Sequence, residues 1–176
     1  SGDCKAVERK VFVTSVAYHG DLKEDKEPEE LSGLALADGH CQELAEGAGL
    51  KGTFKAWLST TEVWPAKRFD TRFAGLYRLT SEGAAIVAIG WKGLIAGTLL
   101  HAIDADESGV LRQENVWTNT LPNGTSASME HCSSWTDSGD ASTTIGKSSA
   151  TDATWTNNLT GQACSGLNRL YCIEDI

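Results

Sequence analysis

Three short tryptophan motifs in the last third of the chain carry the residue types that bind sugars and other polar ligands. The motifs read Trp-Thr-Asn or Trp-Thr-Asp and begin at Trp117, Trp135 and Trp155. Aromatic rings stack on the apolar faces of sugars, and adjacent amides and carboxylates hydrogen-bond hydroxyl groups. The candidate ligand-binding residues are Trp117, Asn119, Asn123, Trp135, Asp137, Asp152, Trp155, Asn157 and Asn158. The alternative, in which the rings belong to the core and the loop groups are solvated, stays open.

Calcium is the cofactor for which the sequence offers some ligands. The stretch Asp104-x-Asp106-x-Ser108-Gly109 begins like a calcium loop, so Asp104 and Asp106 are the candidate metal ligands. The twelfth position of such a loop requires glutamate, and here it is Asn115. No helical pattern enters or leaves the stretch. A hairpin turn is therefore the preferred interpretation, and we expect no obligatory cofactor.

The sequence contains no motif that supports an enzyme. Its histidines lack the four-residue spacing of a helical zinc site, and they are His19, His40, His101 and His131. No Gly-x-Ser-x-Gly nucleophile elbow occurs, and no glycine-rich phosphate loop follows a strand. The Leu-Pro-Asn-Gly stretch at residues 121–124 lacks the carboxylate of a calcium-dependent sugar site and is typical of a turn. We therefore expect a non-enzymatic protein.

The composition is acidic and typical of a globular protein. The 176 residues include 24 acidic and 15 basic side chains, which gives a formal net charge of −9. This charge argues against binding to nucleic acid, heparin or anionic lipid. No apolar run reaches the length of a transmembrane helix. The length fits one domain, which we assign to residues 10–176 after a tail at residues 1–9.

The five cysteines predict disulfide bonds and therefore an oxidising compartment. They are Cys4, Cys41, Cys132, Cys164 and Cys172. None forms the Cys-x-x-Cys pair of a zinc site, and their wide separation suits bonds between distant parts of one domain. The odd number leaves one cysteine over, and Cys4 is the expected remainder because it lies in a polar stretch outside any core pattern. A free or crosslinking thiol and a lipid-anchored cysteine both stay open for Cys4.

Alternating and helical patterns predict an α+β domain. Residues 10–18 and 53–58 alternate as half-buried strands do. Residues 34–48 repeat apolar side chains at helical spacing, which turns Cys41 toward the core. After residue 116 the strands become brief and the connections long. The predicted fold class is α+β, with a helix packed on a small antiparallel sheet and a long loop region.

Shorter elements are expected in the middle of the chain. Residues 65–69 begin with proline, which suits the first position of a short helix or turn. Residues 91–95 are expected to form a helical turn. Residues 99–112 are expected to form a hairpin, with strands on either side of the candidate calcium stretch. The charge cluster at residues 21–30 is predicted to be a solvated loop.

Ordered motifs along the chain resemble the endostatin family. They are Val-Phe-Val-Thr-Ser at residues 11–15, Lys-Ala-Trp-Leu-Ser at 55–59, Val-Trp-Thr-Asn-Thr at 116–120, Cys-Ser-Ser-Trp-Thr at 132–136 and Leu-Tyr-Cys-Ile-Glu at 170–174. The same order is typical of the bacterial endostatin-like domains of leptospiral surface lipoproteins. The resemblance implies a C-type lectin-like fold with two nested disulfides, Cys41–Cys172 and Cys132–Cys164, and leaves Cys4 unpaired. The acidic residues 21–30 depart from the family and are interpreted as an insertion.

The same resemblance implies recognition rather than catalysis. We expect a non-enzymatic extracellular module of a bacterial surface protein, secreted or held on the outer cell surface, that binds a host or target-cell protein as an adhesin does. Extracellular-matrix proteins and complement regulators are the implied partner classes. A glycan-binding lectin domain that uses the tryptophan motifs is the alternative. The zinc ligands and heparin-binding arginines of endostatin have no counterpart here, so neither activity is expected.

Overall fold

The computed structural model describes residues 7–23 and 31–176. The strands are β1 (Glu8–Val13), β2 (Thr53–Ala56), β3 (Leu76–Arg78), β4 (Ile86–Ile89), β5 (Asn115–Trp117), β6 (Ser142–Lys147), β7 (Gly161–Ala163) and β8 (Arg169–Asp175). The helices are α1 (Gly33–Gly47), α2 (Pro65–Arg68) and α3 (Gly90–Leu94), with a further helical turn at Cys132–Trp135 and a 3-10 turn at Ala153–Trp155. Cys4 and residues 24–30 of the predicted charge cluster lie outside the described residues, so the predictions for them stay predictions. Residues 21–23 are described, and the expected solvated loop is wrong at Leu22, which is fully buried in the core.

The eight strands form one curled sheet with both parallel and antiparallel pairs. Their order is β4-β3-β1-β8-β5-β6-β7, with β2 also paired to β8. β1 with β3 and β5 with β8 are the parallel pairs. The predicted α+β class is confirmed, whereas the expected small antiparallel sheet is wrong because the sheet is larger and mixed. Strands of three residues, such as β5 and β7, are too short to give a recognisable alternation.

Helix α1 packs against the sheet through the apolar face that its sequence predicts. The Ser32 hydroxyl oxygen caps its N-terminus by accepting a hydrogen bond from the Ala35 amide. Cys41 is fully buried and points into the core, as expected. Gly49 follows the helix with a φ of 75°, a left-handed conformation that glycine adopts without strain. The observed bounds differ from the predicted residues 34–48 by one position at each end.

Two hydrophobic cores lie against the sheet, because successive residues of a strand point to opposite faces. In β8, Leu170 and Cys172 belong to one core, and Tyr171 and Ile173 belong to the other. We call the first the disulfide core; it includes Phe12, Leu34, Cys41, Phe54, Trp117, Cys132, Trp135, Cys164, Leu170 and Cys172. We call the second the aromatic core; it includes Val11, Trp57, Phe69, Phe73, Tyr77, Trp91, Val116, Trp155, Tyr171 and Ile173.

Both disulfides join elements that are distant in sequence. Cys41 in α1 is bonded to Cys172 in β8, across 131 residues. Cys132 is bonded to Cys164, across 32 residues. These are the two pairs that the resemblance implies, and the shorter loop lies inside the longer one. Buried disulfides of this kind persist in oxidising environments, so the structure suits such an environment.

Four predicted strands differ from the structure. β1 ends at Val13 rather than at residue 18, and β2 ends at Ala56 rather than at residue 58. Residues 99–103 and 110–112 form no strand. Backbone amides in residues 99–103 donate to carbonyls of two unrelated segments, so no continuous ladder develops. The predicted turn that follows is present but is closed by a single bridge between Ala105 and Leu111. No helix within residues 7–23 or 31–176 is long and apolar enough to cross a membrane.

Candidate functional site

Trp117 and Trp135 lie side by side in the disulfide core. Both rings are fully buried, and their centroids are 5.8 Å apart. Trp117 Nε1 donates a hydrogen bond to the Tyr18 carbonyl at 2.8 Å. Trp135 Nε1 donates to the Ser59 carbonyl at 3.0 Å. Each indole is therefore fixed by packing at its ring and by a backbone acceptor at its N–H group.

Trp155 is fully buried in the aromatic core. Its ring centroid is 5.1 Å from that of Trp57 and 5.4 Å from that of Tyr171. The Tyr171 hydroxyl donates to the Trp155 carbonyl at 2.7 Å. Burial raises the pKa of Tyr171 well above its ordinary value, because the ionised phenolate loses its solvation there. The three motif tryptophans are thus divided between the two cores.

This burial corrects the candidate ligand site. The faces of Trp117, Trp135 and Trp155 are covered by other side chains, so none of the three rings offers a stacking surface to an external sugar. They occupy the alternative role that the sequence left open, that of core residues. The physical reason is that large apolar rings contribute most to stability when they are removed from water.

The threonines of these motifs hold chain segments together below the surface. The Thr118 hydroxyl donates to the Thr156 carbonyl. The Thr156 hydroxyl donates to the Thr120 carbonyl at 2.8 Å and accepts from Trp57 Nε1 at 2.8 Å. The first and third Trp-Thr pairs are therefore structural units, in which the ring fills a core and the hydroxyl fastens an adjacent loop.

Asn119, which follows Thr118 in the first motif, is also fully buried. Its Nδ2 donates to the carbonyls of Ser59 and Ser128, and its Oδ1 accepts from the Ser128 hydroxyl at 2.9 Å. Its φ of 40° lies in the left-handed region, which asparagine adopts more readily than most residues. Asn119 therefore links Ser128, in the loop that follows it, to Ser59 in a neighbouring segment. The prediction that Asn119 contacts a ligand is corrected.

The remaining polar candidates stabilise their own turns. Asn123 Oδ1 accepts from the amide and the hydroxyl of Thr125. Asp152 Oδ1 accepts from the hydroxyl and the amide of Thr154, and these bonds lower the pKa of Asp152. Such local bonds are the usual role of Asn and Asp in turns. Asn157 and Asn158 also bond within their turn, to the Leu159 amide and the Thr160 hydroxyl. Asp137, Asn157 and Asn158 are all half-buried.

The candidate calcium ligand Asp106 is already satisfied by protein donors. Its Oδ1 accepts from the amides of Ser108 and Val110 at 2.9 and 3.0 Å, and its Oδ2 accepts from Arg112 Nε at 2.9 Å. Burial raises the pKa of Asp106, but these hydrogen bonds outweigh the burial and the pKa is lowered overall. Arg112 supplies the charge that calcium would supply. The stretch that contains Asp104 and Asp106 is therefore a turn held by an ion pair.

No cluster of metal ligands is apparent in the part of the chain that the structure describes. Nowhere in that part do three or more His, Cys, Asp or Glu side chains gather as a metal ion would require. His131 illustrates the reason, because both of its ring nitrogens have protein partners. Its Nε2 bonds with the Thr61 hydroxyl at 2.8 Å, and its Nδ1 accepts from the Ser134 amide at 2.7 Å.

A different surface combines exposure with a fixed shape. We call it the loop face and define it as residues 60–64 and 121–131. The two segments are joined by the bond between Thr61 and His131 at one end. At the other end, the Ala66 amide, two residues after the first segment, donates to the Gly124 carbonyl at 3.0 Å. The loop face is therefore one continuous surface built from two connections.

Apolar and aromatic side chains project from the loop face. Met129 is 78% exposed and Val63 is 38% exposed. Trp64 is half-buried, and Lys67 Nζ lies 3.7 Å from its ring centroid in a cation–π contact. Tryptophan and methionine are enriched at the centres of protein–protein interfaces. This arrangement has the composition of a surface that contacts another protein.

The loop face rests on support that is fixed by both packing and covalent bonds. Trp135 and Asn119 both donate to the carbonyl of Ser59, the residue just before the first segment. The second segment is followed by the turn Cys132–Trp135, which the disulfide to Cys164 fastens. All four residues of this turn have φ between 50° and 65°, a left-handed conformation that persists only where the surroundings impose it. A surface fixed in this way loses little conformational entropy on binding.

Of the candidate residues named from the sequence, only Asn123 lies on the loop face. Val63, Trp64 and Met129 were not among them, because the tryptophans with the most distinctive motifs were given the binding role. A signal was available at Trp64, which lies between the polar run at residues 60–62 and Pro65 rather than in an alternating strand. Met129 likewise lies in a loop rich in serine and threonine. Large apolar residues in such polar surroundings have fewer neighbours that could bury them.

The fold and the loop face define a disulfide-linked α+β domain with a preorganised loop surface. No family model matches the chain. The chain is similar to the collagen alpha-1(XVIII) chain of Homo sapiens, with 26% identity over 167 residues. The matched region covers 82% of this chain and 9% of the collagen, so the chain spans less than a tenth of that relative. This similarity supports a distant endostatin-like relationship.

Proposed function

We propose that this chain is a non-enzymatic extracellular recognition domain with a C-type lectin-like, endostatin-like fold, and that it binds a protein through the loop face. The same proposal places it in a bacterial surface protein of the leptospiral lipoprotein kind. Its partner is a host or target-cell protein, bound as an adhesin binds. The observation that carries the proposal is the preorganised loop face, from which Met129 and Val63 project.

The chemistry of the loop face favours a protein over a sugar. Met129 and Val63 expose apolar surface without a polar group that could hydrogen-bond a sugar hydroxyl. Covering that surface with a protein partner removes it from water, which is the main favourable term in association. A sugar site needs a free aromatic face, and Trp64, the half-buried ring of this surface, already has Lys67 over it.

Binding of the oxidised chain to a panel of extracellular-matrix proteins and complement regulators, and in parallel to a glycan array, tests this proposal. We expect saturable binding to a panel protein. Val63→Glu and Met129→Glu should each weaken it about tenfold or more, because each introduces a charge into the centre of the interface. The matched control is Leu111→Glu, which places the same charge on an exposed apolar position outside the loop face and should leave binding unchanged.

Three results would contradict the proposal. Binding to glycans alone would favour the lectin alternative. Equal weakening by the Leu111→Glu control would show that charge itself, and not the loop face, governs binding. Binding to neither panel would contradict an adhesin-like role. Melting temperatures of the three variants, all at exposed or half-exposed positions, establish that each is folded before its affinity is compared.

A further inference from the structure

A second surface lies at the β4 end of the sheet. Two adjoining cavities of about 480 Å³ each share Arg72, Phe73 and Ala74 as lining residues. One cavity extends to Ile89 and Lys92, and the other extends to Val7. We call the combined surface the edge groove and define it by these six residues. None of them belongs to the loop face.

The floor of the edge groove is held in place by an aromatic and ionic cluster. The Phe73 ring has the Arg9 guanidinium 4.0 Å from its centroid and the Tyr77 ring centroid at 4.9 Å. Arg9 is itself fixed by ion pairs to Asp70 and Asp175, each at 3.1 Å. Because Phe73 is packed on these groups, the groove is a formed feature of the fold rather than a gap between mobile side chains.

The rim of the edge groove combines exposed apolar side chains with positive charge. Val7 is 69% exposed and Ile89 is 57% exposed. The Arg72 side chain is 95% exposed, and its Nε lies 3.9 Å from Asp70 Oδ1. Lys92 is exposed on the same rim. In a chain with a net charge of −9, two exposed cations beside an apolar groove are a local reversal of charge.

The acidic residues nearby on the chain do not cancel this charge. Asp70 is engaged by the buried Arg9 as well as by Arg72. Glu8, which follows the groove residue Val7, pairs with Arg78 at 3.0 Å. Glu8 is therefore committed to Arg78, and Asp70 lies closer to the buried Arg9, at 3.1 Å, than to Arg72, at 3.9 Å. Arg72 and Lys92 on the rim can therefore pair with carboxylates of another molecule.

We propose that the edge groove binds an acidic peptide segment of a partner protein, in which a large apolar side chain is flanked by carboxylates. The apolar side chain lies against Phe73 and Ile89, and the carboxylates pair with Arg72 and Lys92. Arginine is suited to this role because its planar guanidinium binds a carboxylate through two parallel hydrogen bonds. Each cavity is open to solvent and has the volume of a small ligand site, which leaves room for a partner side chain. A sulfated glycan satisfies the rim but has no apolar group for the groove.

Selection from a displayed library of random heptapeptides on the oxidised wild-type chain tests the proposal. We expect the selected peptides to carry Phe, Leu or Ile next to Asp or Glu. A synthetic peptide of the selected sequence should lose about tenfold or more in affinity with Arg72→Glu, which reverses the rim charge, and with Ile89→Ser, which removes apolar contact. Lys51→Glu and Leu111→Ser are matched controls at exposed positions outside the groove and should leave the affinity within about twofold.

Other outcomes overturn the proposal. Selected peptides without an acidic and apolar pattern, or peptides that bind Arg72→Glu as well as wild type, would show that the groove is not their site. A heparin fragment that binds through Arg72 without any effect of Ile89→Ser would assign the rim to a polyanion. Dimerisation in light scattering that Ile89→Ser abolishes would assign the groove to a second copy. Met129→Glu should retain peptide binding, which separates this test from that of the loop face.

Discussion

The two cores of this domain are stabilised by different means. The disulfide core contains both disulfides and the buried face of α1. The aromatic core contains no cysteine within the described residues and instead packs Trp57 against Trp91 and Trp155, at 5.9 and 5.1 Å between ring centroids. A disulfide acts mainly by restricting the unfolded chain, whereas buried rings act through the apolar area they remove from water.

The loop face is connected to both cores by hydrogen bonds or disulfides. Trp135 in the disulfide core donates to the carbonyl of Ser59, which precedes the segment 60–64. Cys132, which is bonded to Cys164, follows the segment 121–131. Thr156, next to Trp155 of the aromatic core, bonds to the Thr120 carbonyl just before the second segment. Reduction of the disulfides should disturb the loop face through the disulfide core. Loss of the Trp155 ring should disturb the same surface through the aromatic core.

The largest effect is expected from the long disulfide. Replacing Cys41 and Cys172 together by serine should lower the free energy of unfolding by about 5 kcal/mol, and replacing Cys132 and Cys164 by about 4 kcal/mol, since the entropy of loop closure grows with loop length. The separations are 131 and 32 residues. Urea unfolding of the two double variants measures both values. A larger loss for the shorter loop would show that local packing, and not chain entropy, dominates the disulfide core.

Loss of a ring should affect the aromatic core nearly as much. Trp155→Ala removes a fully buried indole and should lower the free energy of unfolding by about 3–5 kcal/mol. Trp64→Ala is the matched control, because it removes the same ring from a half-buried position and should cost about 1 kcal/mol. Urea unfolding under oxidising conditions compares the two variants. Equal losses would contradict the assignment of Trp155 to the core and of Trp64 to the surface.

Local spacing made α1 and the α+β class predictable, while the pairs Cys41–Cys172 and Cys132–Cys164 came from the resemblance to endostatin. Apart from Asn123, the loop face was not predictable, because burial of a tryptophan depends on tertiary contacts. Trp155 and Trp64 are both followed by polar or turn-forming residues. Trp155 is enclosed by rings from distant segments, whereas Trp64 is half-buried. The mixed sheet was missed for the same reason, since its three-residue strands are defined by their partners.

A pair of glycine variants should separate packing from propensity within α1. A side chain at Gly33 meets the Ser134 carbonyl oxygen, so Gly33→Ala should destabilise the contact between α1 and the left-handed turn by about 1–3 kcal/mol. A methyl group at Gly39 would have no neighbouring atom within 4 Å, so Gly39→Ala should stabilise the helix by about 0.5–1 kcal/mol. Thermal unfolding of the two variants gives opposite signs. The same sign in both would mean that α1 does not approach the turn this closely.

The smallest effect is expected from pH, and it acts on a turn beside the aromatic core. The lowered pKa of Asp106 means that its contribution is present above the pKa of an unfolded aspartate, about 4, and is lost as the pH falls through the folded value. Asp106→Asn should therefore be less stable than wild type at pH 7, and the difference should shrink below about pH 4. Urea unfolding at several pH values measures it. A difference that is constant with pH would show that the charge of Asp106 contributes nothing.

Site-specific photo-crosslinking tests the central claim most directly. Benzoylphenylalanine in place of Met129 lies on the loop face, while the same residue in place of Leu111 lies outside both the loop face and the edge groove. With the partner found in the protein panel, we predict a crosslink from position 129, its loss after reduction of the disulfides, and none from position 111. A crosslink from position 111 with none from position 129 would contradict recognition through the loop face.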